Sequence, residues 1–87
     1  MRVGQVRRRD ANEAAIVAAL RQVGALVIRI SETGAPDLLV CFRARVVLLE
    51  VKRRGGTATA AQQHRSQQGW PVLIVRTPAE ALTAIGV

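Results

Sequence analysis

The sequence predicts an α/β fold, a sheet sandwiched between helices, and three observations carry that reading. Four short runs are almost wholly aliphatic, as strands buried on both faces are. Three stretches with helical spacing and helix-end signals separate or flank them. Only Arg43, Ala44 and Arg45 lie between the second and third runs, a length that suits an antiparallel hairpin.

Taken in order, residues 1 to 9 (MRVGQVRRR) form a basic lead-in, and residues 10 to 87 form a single domain. Asp10 opens the first helix, with Glu13 at capping-box distance. Ile16, Leu20 and Val23 are expected on its buried stripe, and Gly24 ends it. "ALVIRI" (25 to 30) reads as the first strand and "SETGAP" as a turn. "DLLVCF" (37 to 42) and "VVLLEVK" (46 to 52) read as the second and third strands. A loop, "RRGGTATA", leads to a second helix from about Thr59 to Gln68. "PVLIV" (71 to 75) is the fourth strand, and Pro78 starts a last helix through Ile85, at a position where proline is favoured.

The 87 residues carry a net charge of +7, with 13 Lys plus Arg against 6 Asp plus Glu. Such an excess on so short a chain favours a polyanionic partner, nucleic acid first. Aromatic residues make up 2% of the chain, so base stacking can contribute little and the core must be aliphatic. The one cysteine, Cys41, excludes an intrachain disulfide and a cysteine-rich zinc site, and its apolar setting predicts a small buried hydrophobe. No signal peptide or membrane-length apolar segment is seen, and a cytosolic protein is expected. A small core also makes dimerisation a natural means of burying more apolar surface.

Twelve of the thirteen basic residues are arginine; the exception is Lys52. Residues two apart on a strand share a face, so Glu50 and Lys52 point to the same side. A short antiparallel hairpin sets the start of one strand beside the end of the next, which brings Asp37 near both. Two carboxylates suit a divalent cation such as Mg²⁺, and the Val51 carbonyl offers another hard oxygen. A lysine beside them supplies a compact charge and, unlike arginine, a pKa that can move. An ion pair between Glu50 and Lys52 at a strand end is the plain alternative. Glu13 has two uses open to it, an inward-facing acid near the buried stripe or the third position of the capping box.

"GAPDLLV" and "LLEVK" together resemble the two-part signature of the PD-(D/E)XK nucleases. The order of elements resembles their restriction-endonuclease-like αβββαβ core, a mixed four-stranded sheet flanked by helices, here with a C-terminal helix. With "DANEAAIVAALRQVGA" and "PVLIVRTPAEALTAIG" included, the chain after residue 9 is similar to the VRR-NUC domains, especially the short stand-alone type found in phages. The resemblance implies that Asp37, Glu50 and the Val51 carbonyl bind Mg²⁺ or Mn²⁺ and that Lys52 helps activate water. It implies that Glu13 is the additional acid, joined through a water. It further implies a homodimeric DNA endonuclease acting on branched DNA such as four-way (Holliday) junctions.

The pattern departs in the second predicted helix, where one register selects Gln62, with Gln63 as neighbour, and another selects His64. Gln62 is taken as the site-lining residue and His64 as a surface or interface residue. Arg7, Arg8 and Arg9, with Arg53 and Arg54 directly after the third strand, are the candidate contacts to the DNA backbone. Trp70 is assigned to core or dimer packing. From a different class, a non-catalytic nucleic-acid-binding module would share the charge and the fold. A nuclease subunit that takes its substrate choice from a partner is the third reading.

Overall fold

A computed structural model describes residues 11–52 and 71–87. The elements run in the order α1 (Ala11–Gln22), β1 (Leu26–Arg29), β2 (Leu38–Phe42), β3 (Arg45–Val51), β4 (Val72–Val75) and α2 (Pro78–Ala84). The basic lead-in, Asp10, the second predicted helix and Trp70 lie outside the described residues. The strands form one sheet in the order β1-β2-β3-β4. Its first three strands are antiparallel neighbours, and β4 runs parallel to β3. This is the mixed four-stranded sheet expected from the sequence.

Helix α1 forms because its apolar residues recur at helical spacing on one side. Glu13, Ile16, Val17 and Leu20 are its buried positions, so Val17 replaces Val23 in the expected stripe. Val23 lies beyond the last helical residue and is 38% exposed. The helix closes when the Ala25 N–H donates to the Leu20 carbonyl and the Gly24 N–H to that of Arg21. This Schellman closure needs a left-handed residue, and Gly24 supplies it at φ +94°.

The core lies on the face where both described helices pack. Leu38, Leu49, Val40, Val27 and Val75 meet Ile16, Val17 and Leu20 of α1, and Ala81 and Ile85 in and just after α2. Period-2 alternation explains the selection, because Val27↔Val40↔Val47 and Arg29↔Leu38↔Leu49 are cross-strand partners that share this side. The opposite face holds Leu26, Ile28 and Val46, all exposed, so the described helices pack on the other face; the second predicted helix lies outside the described residues. Cys41, paired with Leu26 and Val46 on that opposite side, is correspondingly half-buried and not the buried residue expected.

The β2–β3 hairpin is one residue tighter than its sequence suggests. Phe42 pairs with Arg45, leaving a two-residue turn of Arg43 and Ala44 with φ of 53° and 64°. Two positive φ values give the primed turn that matches strand twist, although neither residue is glycine or asparagine. The Arg43 guanidinium sits 4.8 Å from the Phe42 ring centroid, a cation–π contact that holds the turn. Ala44→Gly is therefore expected to stabilise the domain by about 1 kcal/mol, relief of left-handed strain outweighing the entropy of glycine. Urea denaturation of the two proteins checks this.

At the other end of the chain, the Thr77 side chain caps α2 by accepting from the Glu80 N–H at 3.0 Å. Glu80 reaches back to accept from the Arg76 N–H at 2.7 Å. The pair forms a reciprocal cap around Pro78, with Thr77 and Glu80 spaced as in a capping box. No described helix is long and apolar enough to cross a membrane.

Candidate metal-binding active site

The site is built where β2 begins and β3 ends. A turn precedes it, with the Ala35 N–H donating to the Glu32 carbonyl and Gly34 at φ +86°. Pro36 has no N–H to continue a ladder, so sheet bonding on this strand starts at Asp37. The Asp37 N–H donates to the Leu49 carbonyl, and its own carbonyl accepts from the Ile30 N–H. Strands on either side thus hold its backbone.

The Asp37 carboxylate, 3% exposed, accepts from the Val51 N–H at 2.8 Å. Backbone and side chain of Asp37 therefore bracket Glu50, reaching the residue before it and the residue after it. Glu50 is 5% exposed. Taking two carboxylates out of water this close together is costly unless positive charge or donors compensate. An ionised carboxylate has about four acceptor sites, so one bond to Val51 is compatible with a second role for Asp37 as a ligand. Because the N–H and C=O of one strand residue point to the same side, the Val51 carbonyl also faces the Asp37 side. The donor set there is all hard oxygen, which fits Mg²⁺ or Mn²⁺.

Lys52 follows at the very end of β3, half-buried, its N–H donating to the Val75 carbonyl at 2.9 Å. Alternation puts Glu50 on the side of Leu48, while Leu49 is fully buried on the helix side.

Glu13 occupies the helix side. It is 5% exposed, and its carboxylate pairs with the Arg29 guanidinium at 3.5 Å. Of the two uses left open for it, the inward one is observed; its capping partner Asp10 is outside the described residues. Among the described residues no group of three His, Cys, Asp or Glu side chains is gathered to hold a metal, so Glu13 does not join Asp37 and Glu50 in one ligand cluster. Two carboxylates are within the usual complement for Mg²⁺, which keeps several waters. Gln62, Gln63, His64 and the arginines at 7, 8, 9, 53 and 54 lie outside the described residues.

Sequence reasoning missed two residues. Arg29 was one more basic residue in a basic chain, although it keeps the parity of the buried Val27 and therefore faces α1. Asn12 donates through its side-chain amide to the carbonyls of Lys52 and Arg76, both at 2.9 Å. Its signal was position: Asn12, Ile16 and Leu20 are four apart on one helix stripe, so a polar residue there faces inward.

Against known proteins, no family model matches the sequence and no curated protein sequence does. A solved structure described as a VRR_NUC domain does match, with a TM-score of 0.63 over 84% of this chain and 88% of that one, at 23% identity. The chain has the VRR_NUC fold. That fold agrees with the mixed sheet and with the helices that flank it on the described side. Within the VRR_NUC fold of this chain, the buried acids sit at the adjacent ends of two antiparallel strands and the lysine at the edge of the ladder.

Proposed function

We propose that the protein is a metal-dependent DNA endonuclease that hydrolyses phosphodiester bonds. The observation that carries the reading is Asp37, buried and bonded to the Leu49 carbonyl and the Val51 N–H on either side of Glu50. A DNA-binding surface alone has no use for two buried acids, which repel phosphate, whereas a hydrolytic site needs them to hold a cation.

Asp37, Glu50 and the Val51 carbonyl would hold Mg²⁺ or Mn²⁺. When bound, such an ion supplies Lewis-acid activation and a more acidic water. Lys52, two residues beyond Glu50, orients the attacking water and stabilises charge developing on the phosphate. Glu13, tied to Arg29 on the helix side, is assigned the outer position and acts through a water. Gln62 is assigned to line the site, and Arg7, Arg8, Arg9, Arg53 and Arg54 to hold the DNA backbone by charge without reading sequence. The small chain and the resemblance to stand-alone VRR-NUC domains support a homodimer that acts on branched DNA.

The test is incubation of purified protein with linear, nicked, flap and four-way-junction DNA in Mg²⁺, Mn²⁺ or EDTA. Cleavage is expected in either metal and none in EDTA. The junction is expected to be cut fastest, with paired incisions on opposing strands from a dimer. Binding without cleavage of any substrate would leave the non-catalytic module as the correct reading.

A further inference from the structure

Beyond the acids and the lysine, the sheet has a fork beside Lys52, and one side chain closes it. The last rung between β3 and β4 runs from the Lys52 N–H to the Val75 carbonyl. In a continued parallel ladder, the Lys52 carbonyl would next accept from the N–H of Thr77. That rung does not form, because Thr77 is the N-cap of α2 and the chain turns away. The Arg76 N–H is already taken by Glu80 at 2.7 Å. Two carbonyls stand at the fork, those of Lys52 and Arg76, and one side chain reaches both.

The Asn12 side chain donates to both. A carboxamide has two N–H groups on one nitrogen, and here that nitrogen donates to both carbonyls at 2.9 Å. The partners lie 40 and 64 residues away in sequence, so the contact joins the first turn of α1 to the ends of both parallel strands. Neither a hydroxyl nor a carboxylate could do the same: serine has one donor, and ionised aspartate has none.

We infer that Asn12 is a positioning residue for Lys52: its amide clasps the β3–β4 fork and fixes the lysine relative to Glu50. The catalytic part of this inference rests on the nuclease reading; the clasp itself does not. With the clasp opened, the backbone after Val51 gains freedom, and the lysine amine spends less time at the reacting water. A misplacement of about 1 Å at such a site can cost about 10²-fold in rate. DNA affinity, which comes from distributed positive charge, has no reason to change.

The experiment compares wild type, Asn12→Asp, which is nearly isosteric, and Asn12→Ala, with Val27→Ala as a core variant remote from the fork. Amide hydrogen exchange by NMR reads the clasp directly. Single-turnover cleavage and DNA affinity read its consequence. In both Asn12 variants the Lys52 amide is expected to exchange at least about tenfold faster while the Val40 amide is unaffected. The cleavage rate is expected to fall about 10- to 100-fold, in the range that supporting hydrogen bonds command, with the DNA affinity of Asn12→Ala, which adds no charge, within about twofold. Val27→Ala, although less stable, is expected to retain the single-turnover rate.

Unchanged exchange at Lys52 overturns the clasp whatever the activity. Faster exchange with an unchanged cleavage rate overturns the positioning role. An equal rate loss in Val27→Ala also overturns it, by attributing the effect to stability. A wild-type chain that cuts no DNA is a failure of the nuclease reading and removes the catalytic role with it, while the exchange measurement still decides the clasp.

Discussion

Asp37→Asn protein is expected to bind DNA as well as the wild type and to cleave it roughly 10³-fold more slowly. The magnitude follows from losing several kcal/mol of cation-dependent stabilisation, at about 1.4 kcal/mol per factor of ten. The substitution is chosen because asparagine keeps an oxygen for the Val51 N–H, the 2.8 Å bond that the carboxylate now accepts. The strand start is preserved while one of the two buried charges goes. A second measurement separates loss of the site from loss of the fold. In EDTA the variant is expected to melt close to the wild type, since asparagine keeps an acceptor for the Val51 N–H. In excess Mg²⁺ or Mn²⁺ the wild type is expected to gain stability as ligand-linked proteins do, by about 2.7 kcal/mol at a hundredfold excess over Kd, and Asp37→Asn to gain almost none. If Asp37→Asn cleaves normally, or if both proteins gain equally from the metal, Asp37 is not a ligand.

The second large effect is on stability. Leu49→Ala is expected to cost about 2 to 5 kcal/mol, the range for deleting a buried leucine side chain and leaving a cavity. Leu49 is fully buried and central, paired with Leu38 on one side and with Leu73 on the other. Its side chain lies in the cluster that joins α1, the sheet and the α2 region. Proteins of this length have roughly 4 to 13 kcal/mol of stability in total, so the loss is a large fraction. In a domain this small it corresponds to a melting point lower by about 10 to 30 °C. Urea unfolding at fixed protein concentration checks it, and a loss below about 1 kcal/mol would mean that the core is organised around other residues. Because Leu49 precedes Glu50 and its carbonyl receives the Asp37 N–H, the same substitution is expected to loosen the site. The packing of that residue and the chemistry of the next are coupled through one strand.

Much of this was legible in the chain itself. The aliphatic runs, Pro36, the Gly24 stop and Pro78 are local signals, and each acts through its own backbone or side chain within a few residues. They placed every described strand to within one residue at each end. The proximity of Asp37 to Glu50 was also readable to within a residue, because so short a hairpin sets the start of one strand beside the end of the next. Local signals said less where the answer depended on partners distant in sequence. Val23 carries the same apolar label as Val17, yet the helix ends before it, and only packing against the sheet decides which valine is covered. Arg43 and Ala44 give no sign of a left-handed turn; the pairing of Phe42 with Arg45 imposes one on them. The faces that Asn12 and Arg29 take follow from their positions, but their partners are decided by the tertiary structure. A side-chain amide acquires two backbone carbonyls 40 and 64 residues away only once α1 lies across the ends of β3 and β4. Glu13 likewise meets Arg29 only when helix and edge strand pack together, and that contact keeps it on the helix side, apart from the two acids at the strand ends. Sequence determines which groups are present and which face each strand residue takes. Tertiary structure decides which of those groups meet, because a contact between distant segments exists only after the chain between them has folded.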